Sequence, residues 1–189
     1  IMILKKIDNK EKSILVVNQS IGPLFEDLIF KLKESNKVET FKSIKYNRSN
    51  YFLRLFSWLY FSIQLGLYLI LNGKKYTRIL ISSNPPFAPL LAPLAGVPFS
   101  LLLYDLYPQV IKQIKLPSLL YYAIKKTWDI FNRYSYSKAS KIFTLSSDMA
   151  NELRIYFKSE SEWNNKLSVI PPWIDISNKK IIPFSKNLF

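Results

Sequence analysis

The residues of this chain that could do chemistry sit in short polar turns at the ends of apolar runs. Tyr104 and Asp105 follow the run Phe99–Leu103 and precede Tyr107-Pro108. A carboxylate just past a buried strand could orient or deprotonate a hydroxyl. The same residue would also suit a turn ahead of a helix opened by Pro108. Ser82-Ser83-Asn84-Pro85-Pro86 follows the run 79–81. Its hydroxyls and a free helix N-terminus behind it would suit phosphate or sugar hydroxyls, while capping of the next helix would use the same residues. Ser146-Ser147-Asp148 and Pro171-Pro172-Trp173-Ile174-Asp175 close two later runs. Gly22, after the first run, would let a backbone approach a ligand. It is a lone glycine with no G-x-G-x-x-G around it, so turn chemistry is the better reading and a dinucleotide fingerprint is absent.

These turns need a scaffold, and the pattern supplies one. Ser13–Val17, 79–81, Phe99–Leu103, 141–145 and 167–170 are apolar runs too short for helices, as parallel strands buried on both faces require. Residues 38–44 alternate weakly and make a further strand. Helices are expected over 24–34, where Phe25, Leu28, Ile29 and Leu32 share a face, over the small-residue segment 87–95, and over 149–157 with Ser146 or Ser147 as N-cap. Ser118–Lys138 reads as a basic helix with an apolar stripe through Leu120, Ile124, Phe131 and Tyr134. Alternating strand and helix argues α/β, one Rossmann-like doubly wound parallel sheet. In such a sheet the C-terminal strand ends are where ligands bind.

Residues 51–71 are mostly apolar and long enough to span a bilayer. Arg54, Ser57, Gln64 and Tyr68 fall near one stripe, interrupted by Phe61, and Arg54 and Gln64 would be costly against lipid. The stripe favours a long, partly buried surface helix over a transmembrane span; a helix lying in the membrane interface is the third option.

Composition narrows the chemistry. The 189 residues contain no cysteine and no histidine, which removes thiol nucleophiles, imidazole bases, disulfides and the usual zinc sites. A missing disulfide framework fits a cytosolic address. The net charge of +14 predicts an anionic partner. Lys112, Lys115, Lys125, Lys126, Arg133, Lys138 and Lys141 stand against one acid, Asp129, and favour an anionic membrane surface over a solvated face. No nucleic-acid-binding module is visible, because the aromatics lie in apolar runs rather than among glycines and arginines. Residues 1–12 read as an N-terminal extension, 13–175 as the Rossmann-like domain, and 176–189 as a tail or the start of a linker.

Taken in order, the strand with SSNPP, the strand ending YDLYP, the segment KASKIFTLSSDMANEL and KLSVIPPWID resemble the N-terminal half of GT-B glycosyltransferases of the family 4 type. The likeness is to those of exopolysaccharide and O-antigen synthesis, and it covers roughly residues 13–175. The resemblance implies one half of a GT-B architecture that holds a sugar acceptor, often lipid-linked, at the cytoplasmic membrane face. It implies an enzyme moving a sugar from a nucleotide-sugar with retained configuration, using no metal or other cofactor. On that likeness Asp105 would contact the reacting hydroxyl. Gly22, Ser83, Asn84, Tyr104 and Ser146 would line the acceptor cleft, and Trp173 and Asp175 would lie where a second domain begins. The chain departs from the family in three ways: no donor-binding half with paired glutamates is present, the glycine-rich first turn is reduced to Gly22, and Tyr104 replaces the usual basic residue. The resemblance thus implies an acceptor half that is inactive without a donor-binding domain, supplied in one reading by a separate chain.

Overall fold

The computed structural model describes residues 13–20, 22–44, 50–113 and 116–170. Trp173, Asp175 and Lys115, the extension 1–12 and the tail 176–189 lie outside the described residues. Among the described residues six strands, β1 (Ser13–Val17), β2 (Lys37–Thr40), β3 (Arg78–Ser82), β4 (Phe99–Leu103), β5 (Lys141–Thr144) and β6 (Leu167–Val169), form one all-parallel sheet in the order β2-β1-β3-β4-β5-β6. The α/β Rossmann-like reading therefore holds.

Strand order and handedness together decide where the helices go. Parallel crossovers are almost always right-handed. From β1 the chain steps one way to β2, and every later step runs the other way. Helix α1 (Pro23–Lys33) thus lands on one face, where Phe25 and Ile29 pack on Ile14, Val16, Leu102 and Phe143. Helices α2 (Tyr51–Asn72), α3 (Ala88–Leu91), α4 (Ser118–Lys138) and α5 (Ser147–Leu153) belong to the opposite layer. There Phe61, Leu65, Ala88, Ala92, Tyr136 and Leu153 meet Leu15, Val17, Ile79, Ile81, Leu101 and Ile142. Alternate residues of one strand feed the two clusters, as the period of two demands.

Helix α2 is long and apolar enough to cross a membrane. A span, however, would set its ends on opposite sides of a hydrocarbon layer of roughly 30 Å. The strands at those ends, β2 and β3, both pair with β1. The helix instead lies along the sheet, with Phe61, Leu65 and Leu69 buried. Its polar stripe faces the protein. Ser57 is buried, its carbonyl accepts from Gln19 Nε2 (3.2 Å), and Gln64 accepts from Ser43 Oγ (2.6 Å). Tyr68 meets Tyr76, which donates to Glu39 (2.7 Å).

Helix α4 repeats this arrangement and corrects the expected stripe. Leu120, Phe131 and Tyr134 are exposed, whereas Trp128, Asn132, Ser135 and Tyr136 are buried. Backbone carbonyls decide the matter: Asn132 Nδ2 donates to Tyr107 O (2.7 Å) and Ser135 Oγ to Pro89 O (2.5 Å). A buried polar group with a partner costs little.

Other boundaries also differ from expectation. Strand β2 ends at Thr40, and Phe41, whose N–H still donates to Val16 O (3.0 Å), stands edge-on to Phe61 at 5.2 Å. The helix expected over 87–95 tightens after Leu91 into a 3-10 turn, Ala92–Ala95. Pro93 has no N–H for the Pro89 carbonyl, so the α-helical ladder cannot continue there. Helix α5 stops at Leu153, and a further helix, α6 (Glu160–Lys166), follows it.

Gly73, at the end of α2, locks this layer. A Cβ there would stand 2.5 Å from the Ala95 carbonyl oxygen, which is backbone and cannot swing away. Gly73→Ala is expected to lower stability by about 1–3 kcal/mol, read as a lower urea midpoint at unchanged slope.

Candidate functional site at the carboxyl edge of the sheet

The order β2-β1-β3 reverses direction between β1 and β3, a topological switch point. The turns that leave β1, β3 and β4 meet there, and hydrogen bonds hold them together. Ser82 Oγ donates to Asn18 Oδ1 (3.0 Å), and Gln19 N donates to Asn84 O (2.9 Å). Ser83 Oγ accepts from the backbone N–H groups of Tyr104 (2.8 Å) and Asp105 (3.1 Å).

These bonds reassign the serines. Neither Ser82 nor Ser83 caps α3, whose N-cap is Phe87 without a side-chain cap bond. Both are buried. Ser83 is the clamp that joins the β3 turn to the β4 turn and so sets where Asp105 stands. Asn84 is half-buried and engaged through its carbonyl; its peptide bond to Pro85 is cis, as is Tyr107–Pro108.

Asp105 is exposed at the end of β4, and no described residue donates to its carboxylate. Burial by the surrounding turns raises its pKa above the ordinary value of 3.8. Beside it, the Tyr104 ring tilts against Phe25 at 6.4 Å, and burial pushes its pKa up to about 12. Tyr104 is therefore a neutral hydroxyl at physiological pH, able to donate. A partly desolvated carboxylate and a neutral phenol side by side on an open edge are suited to hold and polarise a hydroxyl-bearing ligand.

Gly22 is the N-cap of α1 and takes part through backbone alone. Its φ of −120° is open to any residue, and its carbonyl accepts from Phe25 N (2.8 Å) and Glu26 N (3.0 Å) in the turn that opens the helix. Nothing stands within 4 Å of where its Cβ would be, so the space beside it is free. Ser146 does what capping chemistry predicts, accepting from Met149 N (3.3 Å) at the start of α5. Gly22, Asn84, Tyr104 and Asp105 share the neighbourhood of the switch point, and Ser146 follows β5 on the same edge.

Two features went unread in the sequence. One is an aromatic stack, Phe87 on Trp128 (5.0 Å) and Trp128 on Tyr107 (5.5 Å), which braces the turn after Asp105 and borders an apolar groove of about 360 Å³ between α3 and α4. Aromatic types alone do not announce such a stack. The other is α6, where Ser159 accepts from Glu162 N (3.1 Å) and Glu162 accepts from Lys158 N (3.1 Å). That near-capping box was legible as S-x-x-E. Among the described residues no group of three acidic side chains could hold a metal ion.

Ser83→Ala leaves two N–H groups without their acceptor and is expected to cost about 1–3 kcal/mol in denaturant unfolding. Asp105→Asn has the opposite sign. A carboxyl whose folded pKa is raised contributes stability below its unfolded pKa and loses it as pH rises through the folded pKa. The Asn variant should thus melt higher than the wild type at pH 7, with the difference closing as pH falls toward 3.8. Melting curves across that range check it. No protein-family model matches the chain and no curated protein matches it, so a reading of function rests on the residues at this edge.

Proposed function

We propose that this chain is the acceptor-binding half of a retaining glycosyltransferase of GT-B type. It would serve cell-surface polysaccharide synthesis, with a sugar passing from a nucleotide-sugar to a lipid-linked sugar acceptor. The observation that carries this reading is Asp105. It stands exposed at the switch point with no described donor, beside the neutral Tyr104 phenol, and the turns around it raise its pKa, as happens to carboxylates at functional edges.

The roles follow from position. An acceptor sugar lies across the edge from Gly22 to Asp105, its reacting hydroxyl donating to the Asp105 carboxylate. The raised pKa makes that carboxylate a stronger acceptor than an ordinary aspartate. The Tyr104 hydroxyl donates to a neighbouring sugar oxygen, and Ser83 acts through the backbone by holding both residues in register. The nucleotide-sugar is bound by a donor half, in the same polypeptide or in a separate chain, whose cleft closes over this edge. Work at the cytoplasmic face of the membrane, in peripheral association, fits the lipid-linked acceptor.

A second reading has an observation of its own. The hydroxyls of Ser82, Ser83 and Ser146 are all engaged within the fold, which leaves few side chains for a ligand. In that reading the edge is a docking surface and the chain a non-catalytic subunit that recruits a donor-binding chain.

Sugar transfer from radiolabelled nucleotide-sugars to membrane lipid extract, with the donor half present, separates the two. The glycosyltransferase reading expects product, and expects Asp105→Asn to cut turnover by about 100-fold or more while the protein stays folded. Full turnover by the Asn variant removes Asp105 from the mechanism. A stable complex whose activity is indifferent to every substitution at this edge favours the recruiting subunit.

A further inference from the structure

The inward-facing polar stripes of α2 and α4 have a consequence on the other side of the layer. On α2, Phe52, Phe56, Ile63, Leu67, Ile70 and Leu71 are 58–85% exposed. Neighbouring Leu94 is exposed in the turn after α3, and Leu119, Tyr122 and Ile130 are exposed on α4. These elements lie side by side, with α2 packed on α3 and its following turn, and α3 packed on α4. Single exposed apolar residues are ordinary, but a contiguous apolar face of this extent marks an interaction surface.

Its charges have one sign. Helix α2 carries no acid, its Arg54 lies in the inward stripe, and exposed Lys74 and Lys75 follow its end. Lys126 is exposed one turn from both Tyr122 and Ile130 on α4, whereas Asp129 is turned inward to Tyr156 and Lys125.

We infer that this face seats on an anionic lipid bilayer, with α2 lying in the plane of the interface. Its outer side chains enter the acyl region, and the cations meet the headgroups. Charge selects this occupant over a second copy of the chain. Two faces of a molecule with net charge +14 would repel, whereas anionic lipid neutralises them. A donor half is not the occupant either, because it would meet the carboxyl edge of the sheet.

The seating also orients the candidate site. Gln19, in the turn after β1, reaches the Ser57 carbonyl of α2, and Asn132 of α4 holds the Tyr107 carbonyl. With the helical layer flat on the bilayer, the edge bearing Asp105 stands beside the headgroups, where a lipid-linked sugar presents itself. The proposed function enters only as the reason for that orientation, and the binding is measured without any sugar.

Co-sedimentation with vesicles of phosphatidylcholine, with and without phosphatidylglycerol, tests the inference. The wild type is expected to pellet with the anionic vesicles and less with the neutral ones. Phe56→Glu/Ile63→Glu, at two exposed positions, is expected to weaken binding roughly tenfold or more. Circular dichroism verifies the fold, and Ile63→Ser/Leu67→Ser serves if the glutamates disturb it. Wild type that stays in solution with both vesicles overturns the inference, as does undiminished binding by folded variants. A dimer in solution that the variants dissolve, with no vesicle binding, overturns it in favour of self-association. Vesicle binding without any sugar transfer would count against the proposed function and leave this inference standing.

Discussion

One constraint, the right-handed crossover between parallel strands, organises most of this molecule. Because β1 is followed by a step one way and all later steps go the other, α1 is set on one face and α2 to α5 belong to the opposite layer. The same reversal opens the switch point at which the turns after β1 and β3 meet. Site and surface layer are thus two results of one topology. Neither needs a special sequence, only strands apolar on both sides and linkers long enough to cross.

Within that frame, side-chain hydroxyls and amides decide the details by finding backbone groups. Ser83 joins the β3 and β4 turns, Asn132 reaches Tyr107, and Ser135 reaches Pro89. A partnered polar group can be buried nearly without cost, so polar residues line the inner sides of α2 and α4. Apolar side chains are then left facing out. Asp105 is different, exposed at the edge with no described partner, and the neighbouring turns disfavour its charge.

These two behaviours explain what could be read from the sequence. Strands β1, β3 and β4 were legible because apolar runs of that length between turn residues have few other uses. Helix α4 was legible at both ends, Ser118 and Lys138. Its buried side was not, because periodicity counts apolar residues and knows nothing of a carbonyl waiting at Pro89. The turn containing Ser82 and Ser83 was found, but its partners are some 20 to 60 residues away, at Tyr104 and Asn18, and local capping rules look only a few residues ahead. Gly22 does serve a turn, as the N-cap that opens α1, but its extended backbone needs no glycine and the space beside it is open.

The central claim is that ligand chemistry belongs to the carboxyl edge at the switch point, with Asp105 at its centre. The most direct measurement follows backbone amide resonances while a soluble glycosyl diphosphate is added to the folded chain. The account predicts saturable shifts at Gly22, Asn84, Tyr104 and Asp105, reduced in Asp105→Asn. Saturable shifts confined to the groove between α3 and α4, or to the pocket lined by Ser147, Asn151 and Trp163, would contradict it and move the site elsewhere.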